Sequence, residues 1–427
     1  MQHKECVIIN GARTPIGRYG GAFRDLTVVD LGVAAVRGAL QKTTLKPEQV
    51  EEVIIGHARQ AGNGSNPARI VSIKADIPVN VPAYTVNQAC LSGMLSIMLA
   101  HQSITLGNSS IVLAGGMEHH SSVPYLSTHT RWGARMGDVT LVDAQFRDGY
   151  HCGIEHVHMG LLTDRYAGEL GITREEQDQF AFDSQRKAAK ARENGFFEKT
   201  IVPVEVPQKK GPPVAVQEDE TPRPDTTLEV LDKLPPAFRP EGTITAGNAP
   251  PIPDGASAMV VASREKADEL GLTPLGKIIS YAIAACEPKR FATAPVQAVP
   301  IALRKAGLTL DDIDLIEINE AFSAQVIAVM RALGMDASKV NIHGGGVSLG
   351  HPTGMSGNRI TLDVLNSLKE RGGHYGLATI CGNGGHGGGY SCGANQVSTA
   401  LGSTLYLSLE CYLMNCTKAY FVIFYSL

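Results

Sequence analysis

Two cysteines of this 427-residue chain stand in sequence contexts that suit nucleophilic chemistry. Cys90 opens a long apolar stretch, and Cys381 opens the glycine cluster of residues 381–387. A thiol at the N-terminus of a helix is pushed toward the thiolate by the helix dipole and by unpaired backbone N–H groups. The two thiols therefore suggest two tasks, one for a nucleophile and one for a proton carrier.

Two further polar residues lie between them in the chain. Asn319 begins the run Asn-Glu-Ala-Phe, and His351 lies in the glycine-rich run of residues 350–357. Each signal is weak alone, because a buried cysteine usually behaves as a small hydrophobe and a histidine in a glycine-rich turn is more often structural. All four residues fall where a strand-to-loop or loop-to-helix junction is predicted. Together they suit acyl transfer through a thioester, which needs a histidine and backbone hydrogen-bond donors.

The overall composition excludes several classes of protein. With 38 basic against 42 acidic residues and no long basic run, the chain does not favour a nucleic-acid partner. Residues 1–5 lead directly into the strand-like residues 6–10, so we expect neither a signal nor a transit peptide and a cytoplasmic location.

The eight cysteines show no paired spacing, so neither a disulfide framework nor a zinc site is predicted. The 13 histidines raise the question of a metal, but no set of three or four ligands has suitable spacing. We therefore expect no physiological metal and no bound cofactor.

The chain contains an internal repeat. Residues 39–57 align with residues 302–320 at an offset of 263 (302 − 39), and both predict a helix, an acidic turn and a strand. Near that offset, the apolar strand before Gly115 aligns with the strand before Cys381. The repeat predicts two similar α/β halves, and strand ends in such sheets are where ligand sites form.

The repeat also suggests domain boundaries. We predict an N-terminal α/β half over 1–118, a loop domain over 119–250 that roofs the site, a C-terminal α/β half over 251–395 and an apolar tail over 396–427. The middle segment differs in composition, being rich in Gly, His and Met and later in Pro. A solvated surface excursion is the alternative interpretation of that segment.

At this point the sequence resembles the thiolase family, and within it the biosynthetic enzymes that form acetoacetyl-CoA. The resemblance covers about residues 4–390. It rests on ordered blocks at residues 11–17, around Cys90, at 114–118, 135–138, 243–249, 319–322 and 350–352, and at Cys381.

The resemblance implies an α/β thiolase fold, with duplicated βα halves in a five-layer αβαβα core and an inserted loop domain. It implies condensation of two acetyl-CoA to acetoacetyl-CoA and CoA, which are substrates and products rather than cofactors. It also implies self-association as dimers or tetramers.

The same resemblance assigns roles to the four polar residues. Cys90 would take the acetyl group, and His351 would accept the proton of its thiol. Cys381 would remove a proton from the methyl group of a second acetyl-CoA. Asn319, through a water, and His351 would stabilise the enolate, while the backbone N–H groups of Cys90 and Asn383 would form a second oxyanion site.

The resemblance further implies a set of contacts to CoA. His158 and Met159 would lie over the thioester, and Arg223 near the adenine nucleotide. Phe238, Ala246 and Gly247 would line the pantetheine, and Ala321 and Phe322 the pocket wall. A methionine in the roof favours short acyl groups, whereas an ordinary core methionine is the alternative interpretation of Met159.

The chain departs from the family pattern at several positions. Val230 and Pro250 occupy places where many relatives offer a serine hydroxyl to CoA. Asn383 lies in the loop after Cys381, where its N–H would come from a backbone geometry that glycine adopts more easily.

The largest departure is at the end of the chain. Residues 387–395 show no strand pattern, so the closing strand of the second half is predicted to be missing. In 396–427 only Glu410 and Lys418 are charged, yet the apolar runs are shorter than the ~20 residues of a membrane span. We favour an altered reading frame or splice product over an added hairpin.

Two other functions remain open at this point. One is a 3-ketoacyl-CoA thiolase that degrades longer chains. The other is a thiolase-like protein that binds acyl-CoA or lipid without turnover, which the altered Cys381 loop makes plausible.

Overall fold

The computed structural model describes residues 4–392 and 420–426. The strands are β1 Cys6–Arg13, β2 Gly17–Arg18, β3 Glu52–Gly56, β4 Ala83–Val86, β5 Ile111–His119, β6 Tyr125–Leu126, β7 Val142–Asp143, β8 His151–Cys152, β9 Val157–His158, β10 Val204–Val206, β11 Val214–Val216, β12 Pro253–Ser263, β13 Gly276–Ala285, β14 Leu315–Ile318, β15 Tyr375–Gly382, β16 His386–Cys392 and β17 Tyr420–Ser426.

Helices alternate with these strands along most of the chain. They are α1 Val28–Thr43, α2 Pro67–Lys74, α3 Ser92–Thr105, α4 Met159–Glu169, α5 Arg174–Glu193, α6 Leu228–Asp232, α7 Arg264–Glu269, α8 Ala294–Ala306, α9 Ser323–Leu333, α10 Gly346–Leu349 and α11 Thr353–Arg371.

The sheet has the same strand order in its two halves. In the first half β1 is antiparallel to β12, β12 is antiparallel to β5, and β5 is parallel to β3. In the second half β13, β16, β15 and β14 repeat this order and these directions. The predicted duplication is confirmed, and the two halves join where β1 pairs with β13.

Five layers result from the way the helices cover the two halves. Helix α1 packs on β1, β5 and β12, and α8 packs on β13 and β16. Helices α3 and α11 pack against each other between the halves, α3 on β3 and β5, and α11 on β14 and β15. Successive residues of β1 alternate between layers, because Val7 and Ile9 join the core beneath α1 whereas Cys6 and Ile8 join the core around α3 and α11.

The sequences of the helices explain their places in these layers. Helix α3 is apolar on nearly all sides, which is typical of a helix buried between two layers. Helix α1 buries one apolar face, and its first turn is capped by reciprocal hydrogen bonds between Thr27 and Asp30. The charged helix α5 has a similar cap between Thr173 and Glu176 and lies at the surface of the inserted segment.

The inserted segment begins at a defined point of the repeat. In the second half a turn at residues 383–385 joins β15 to β16, whereas in the first half residues 120–252 separate the equivalent strands β5 and β12. Because β12 pairs with β1 and β5, its hydrogen bonds associate it with the first half of the sheet. The domain boundaries given above stay a prediction.

Helices α3 and α11 meet at glycines near their N-termini. A Cβ on Gly93 would meet the carbonyl oxygen of Gly354, and a Cβ on Gly116 of β5 would meet the same oxygen. A Cβ on Gly357 would meet the backbone of Met94. The backbones can therefore approach this closely only because these residues lack side chains.

The prediction for the end of the second half is wrong. Residues 386–392 form β16, which lies between β15 and β13 and is the closing strand. Its glycines weaken the strand pattern in the sequence. In the structure, a Cβ on Gly387 would collide with Ala294 of α8, and a Cβ on Gly388 would crowd Leu91. Glycines in this strand thus reflect close backbone approach.

Part of the predicted tail lies in the described residues. Tyr420–Ser426 forms β17, which is antiparallel to β13 and parallel to β16. The rest of 396–427 lies outside the described residues, so the interpretation of this tail as a foreign ending stays a prediction. Within residues 4–392 and 420–426, no helix has the length and apolarity needed to cross a membrane.

We predict that Gly116→Ala lowers the free energy of unfolding by about 1–3 kcal/mol, because the new Cβ overlaps the Gly354 carbonyl in a packed core. Urea denaturation followed by circular dichroism measures the change. Gly153→Ala is the matched control, since a Cβ at Gly153 meets open space. Equal stability of the two variants would contradict the role given to this glycine contact.

Candidate active site

Cys90 lies in a tight turn between β4 and helix α3. Ala89, directly before it, has a φ of +50°, a strained value for a residue with a side chain. Ser92 holds the turn, because its hydroxyl donates to the Ala89 carbonyl at 2.6 Å and accepts from the Gln88 N–H at 2.8 Å. The turn places Cys90 in the wall of a cavity.

The thiol of Cys90 is protonated at neutral pH. Burial raises its pKa to about 11, although the charge of Arg59 and the backbone N–H groups of Cys90 and Asn383 act in the opposite direction. The expectation that the helix N-terminus drives Cys90 toward the thiolate is therefore wrong for this structure. Desolvation of the anion outweighs the nearby donors.

His351 is positioned as a neutral proton acceptor. Its Nδ1 lies 2.6 Å from the Ser356 hydroxyl, and that hydroxyl donates to the Pro352 carbonyl at 3.0 Å. The Ser356 oxygen thus accepts the Nδ1 proton, which leaves the lone pair on Nε2, a buried atom with no hydrogen-bond partner among the described residues. Burial lowers the pKa of His351 to about 3, so the ring is neutral from pH 4 upward.

Cys381 is the second thiol of the cavity. It lies near the end of β15 and is fully buried. Burial and the neighbouring Cys90 raise its pKa well above the ordinary value, so this thiol is also protonated at rest. Ionisation of Cys90 therefore affects ionisation of Cys381, as expected for two thiols that serve successive steps of one reaction.

The loop after Cys381 differs from the expectation in one detail. The left-handed backbone conformations fall on Gly384 and Gly385, with φ of +84° and +88°, and not on Asn383. The Asn383 side chain reaches the inserted segment, where Nδ2 donates to the Gly149 carbonyl at 3.4 Å. Asn383 therefore presents its N–H toward Cys90 from an ordinary backbone geometry.

Asn319 is not among the residues that line the cavity. It follows β14 and donates its backbone N–H to the Thr379 carbonyl at 2.9 Å. Its side-chain amide is fully buried, and neither Oδ1 nor Nδ2 has a partner among the described residues. A buried amide of this kind is normally satisfied by an ordered water.

The cavity has a volume of about 280 Å³ and is mostly apolar. Its lining includes four residues of the predicted chemistry and five of the predicted substrate contacts. These residues are Cys90, His351, Cys381, Asn383, His158, Met159, Phe238, Ala321 and Phe322.

A second cavity of about 380 Å³ contains the other three predicted contacts to CoA, Arg223, Ala246 and Gly247. Both cavities are lined by Ala249, Pro250 and Ile252, so they adjoin. Arg223 is exposed at the outer cavity. The predicted residues thus fall into a group that lines the inner cavity and a group that lines the outer cavity, and Asn319 lines neither.

Aromatic side chains form the roof of the inner cavity. The rings of His158 and Phe238 stack with centroids 4.8 Å apart, and Phe238 meets Phe322 edge-on at 6.3 Å. His158 Nδ1 accepts from the Gly160 N–H at 3.0 Å and so caps α4. Burial lowers the pKa of His158, which keeps the ring neutral at neutral pH.

Sequence reasoning missed several residues of the cavity wall. The chief ones are Arg59, which follows strand β3, and Gly149, Tyr150 and Phe291. Arg59 stands at the carboxyl end of a parallel strand, a signal that would have identified it. Gly149 and Tyr150 lie in a π-helical turn, Phe146–Tyr150, which the sequence does not reveal.

No group of three or more His, Cys, Asp or Glu side chains within residues 4–392 and 420–426 is arranged to hold a metal ion. Two histidines of the inserted segment illustrate other contacts. His120 Nδ1 lies 2.6 Å from the Pro253 carbonyl, and His151 packs against Phe146.

A cavity that joins two thiols to a neutral imidazole, on a duplicated α/β fold, defines an enzyme that works through cysteine. Family models for the thiolase N-terminal domain and the thiolase C-terminal domain match residues 6–265 and 272–392. The chain belongs to the thiolase family.

Individual proteins are similar over nearly the whole chain. The acetyl-CoA acetyltransferase of Cupriavidus necator is 47% identical over 383 residues, which cover 90% of this chain and 98% of the relative. The crystal structure of the Bacillus anthracis acetyl-CoA acetyltransferase has a TM-score of 0.89 at 41% identity, covering 91% and 98%. Human mitochondrial 3-ketoacyl-CoA thiolase in complex with CoA has a TM-score of 0.87 at 39% identity, covering 90% and 97%.

We predict that Ser356→Ala lowers kcat about tenfold or more, because His351 loses the acceptor that holds its Nδ1 proton and leaves Nε2 free. Steady-state kinetics of acetoacetyl-CoA cleavage measures the change. Ser356→Thr, which retains a hydroxyl, should recover part of the activity. An unchanged kcat in Ser356→Ala would contradict the tautomer assigned to His351.

Proposed function

We propose that this protein is an acyltransferase, an acetyl-CoA C-acetyltransferase that condenses two acetyl-CoA to acetoacetyl-CoA and CoA and also runs in reverse. One observation carries the proposal. A protonated Cys90, a neutral His351 with a free Nε2 and a protonated Cys381 line one cavity of about 280 Å³. The relatives named acetyl-CoA acetyltransferase support the choice of substrate.

The first half-reaction is acylation of Cys90. The sulfur attacks the carbonyl carbon of acetyl-CoA while His351 Nε2 takes the thiol proton. The backbone N–H groups of Cys90 and Asn383 both act on the Cys90 sulfur, so they also lie near the oxyanion of an acyl group bound there. When the C–S bond to CoA breaks, the departing thiolate needs a proton.

Cys381 is the donor of that proton in our proposal. Its thiol is protonated at rest because burial raises its pKa, so it can serve as a base only after it has lost its proton. Transfer of the proton to the departing CoA thiolate turns Cys381 into a thiolate. The first half-reaction thereby prepares the base for the second.

The second half-reaction forms the carbon–carbon bond. Cys381 takes a proton from the methyl group of a second acetyl-CoA, and the resulting carbanion attacks the acetyl carbon on Cys90. The C–S bond to Cys90 breaks, and His351 returns its proton to that sulfur. Asn319, whose buried amide has no partner among the described residues, would hold a water that supports the enolate oxygen together with His351.

The adjoining cavities support binding of a CoA thioester. The acyl group would lie in the inner cavity, and pantetheine would pass Ala249 and Pro250 to the outer cavity. Arg223, exposed there, would meet the phosphates of the nucleotide. Val230 and Pro250 line this cavity without a hydroxyl, so CoA would lack two hydrogen bonds that a serine provides.

Short acyl groups fit the inner cavity best. Met159 and Phe291 are both almost fully buried and pack with Cys381 and Ala321 in one apolar cluster. These four residues also line the inner cavity, so they would limit the length of an acyl group bound there. The similarity to human mitochondrial 3-ketoacyl-CoA thiolase makes cleavage of longer ketoacyl chains the competing function.

We extend the proposal to assembly and location. Trp132 and Met136 of the inserted segment are 93% and 98% exposed, which suits residues covered by another copy of the chain in a dimer or tetramer. We propose a cytoplasmic enzyme.

We predict that the two cysteines fail at different steps. Cys90→Ala should lose cleavage of acetoacetyl-CoA and also the exchange of labelled CoA into acetyl-CoA, which needs only the first half-reaction. Cys381→Ala should retain measurable exchange, with solvent supplying the proton, but lose condensation. Condensation by Cys381→Ala at the wild-type rate would contradict this division of tasks.

We predict that kcat/KM for cleavage is at least tenfold higher for the C4 substrate acetoacetyl-CoA than for a C8 3-ketoacyl-CoA, because the Met159–Phe291 cluster would limit the length of the acyl group in the inner cavity. Release of acetyl-CoA from each substrate measures the ratio. A higher value for C8 would favour the long-chain thiolase, and no cleavage of either would favour a protein that binds without turnover.

A further inference from the structure

Arg59 places a positive charge in the wall of the inner cavity. It follows β3, is 7% exposed, and donates its backbone N–H to the Glu118 carboxylate at 3.0 Å. Its buried Nε has no hydrogen-bond partner among the described residues. In the described parts of the chain its guanidinium makes no ion pair.

Two neighbours hold the guanidinium in place. Its Cζ lies 5.6 Å from the centre of the Tyr150 ring, a cation–π contact. A Cβ on Gly149 would collide with Arg59 Nε, so the guanidinium packs flat on a glycine. Gly149 and Tyr150 both line the cavity, as does Arg59.

The two carboxylates that feel the charge of Arg59, Glu118 and Asp148, each have a closer partner. Glu118 lies 2.8 Å from His57 Nδ1 and accepts the N–H groups of Ala58, Arg59 and Gly354. His57 is the chief cause that holds the pKa of Glu118 at about 2 against burial. Asp148 pairs with Arg147 at 2.6 Å. The charge of Arg59 also helps to lower the pKa of both carboxylates, but neither forms an ion pair with its guanidinium in the described residues.

Cys90 is surrounded by charged and titratable groups from four elements. Arg59 after β3 lowers the pKa of its thiol, and Glu118 of β5 raises it. A negative charge on Cys90 raises the pKa of the Cys381 thiol of β15. It also raises the pKa of Tyr150, which lies in the inserted segment. Arg59 also helps keep His351 neutral. Arg59 is the positive group that acts directly on the nucleophile.

A buried charge that lacks an ion-pair partner is destabilising, and such groups cluster at functional sites. Acyl transfer produces such charge at Cys90, first on the sulfur as His351 takes its proton, then on the oxygen of the tetrahedral adduct. We propose that Arg59 is a further catalytic residue, whose guanidinium stabilises the negative charge that develops on the Cys90 sulfur and on the adduct formed there. This inference rests on the proposed function, in which Cys90 is acylated.

A purely structural role for Arg59 makes a different prediction. If the guanidinium only supported Tyr150 and Gly149, its loss would affect stability and leave the ionisation of Cys90 unchanged. The pH dependence of Cys90 alkylation separates the two roles, because only the thiolate reacts.

The experiment compares wild type with Arg59→Leu, Arg59→Lys and the control Arg147→Leu, which removes an arginine paired with Asp148 on the same turn. Iodoacetamide alkylation of Cys90 is followed from pH 7 to pH 11 by peptide mass spectrometry. Removal of the positive charge raises the pKa of Cys90, so the thiolate fraction falls and Arg59→Leu should react about tenfold more slowly at pH 8. Arg59→Lys should lie near wild type, and Arg147→Leu should coincide with it.

A second reagent gives an independent measure of the charge. Iodoacetate is anionic and iodoacetamide is neutral, so the ratio of their rates reports the potential at Cys90. The ratio should fall at least threefold in Arg59→Leu and stay constant in Arg147→Leu. If Arg59→Leu does not fold, Gly149→Ala replaces it, because the new Cβ displaces the guanidinium from the same place.

The inference would be overturned if Arg59→Leu, or Gly149→Ala in its place, had the same alkylation profile and the same rate ratio as wild type. This outcome is distinct from failure of the proposed function, because alkylation reports the thiol itself and not turnover. Retention of acetoacetyl-CoA cleavage by Cys90→Ala would instead remove the proposed function.

Discussion

The contact between Gly93 of α3 and Gly354 of α11 fixes the geometry on which the rest of the site depends. Gly93 lies three residues after Cys90, and Gly354 lies three residues after His351. A Cβ on Gly93 would meet the Gly354 carbonyl oxygen, and a Cβ on Gly354 would meet the carbonyl oxygen of Met117 in β5. The N-terminus of α11 therefore lies as close to α3 and to β5 as backbones allow. The nucleophile and its base are thereby held by the core of the protein and not by mobile loops.

Burial then determines the protonation states. Cys381 is fully buried, whereas Cys90 and His351 are half-buried in the cavity wall. Desolvation at these positions raises the pKa of Cys90 and Cys381 and lowers that of His351. The resting site is therefore neutral at its reacting groups, and charge arises only when a proton moves. An apolar cavity of this kind strengthens every donor aimed at that charge, including the N–H of Asn383 and, as we infer, Arg59.

Much of the fold could be predicted from the sequence, because the repeat of residues 39–57 at 302–320 rests on local periodicity that survives in α1, β3, α8 and β14. Residue type and predicted junctions singled out Cys90, His351 and Cys381, whereas Asn383 and the contacts to CoA followed from the resemblance to the thiolase family. The strand at 386–392 and the protonation of Cys90 could not, since glycine packing against α8 and desolvation belong to the whole fold. The position of Arg59 after β3 can be predicted from the sequence, but its contacts with Gly149 and Tyr150 cannot, because these residues are remote in sequence.

The most direct test of the account locates the acyl group. Wild-type protein is mixed with acetyl-CoA labelled in the acetyl group, quenched in acid and digested, and the label is assigned by mass spectrometry. The account predicts label on Cys90 alone, and its return to acetyl-CoA when CoA is added before the quench. Label on Cys381 or Cys152, or unlabelled protein that still forms acetoacetyl-CoA, would contradict it.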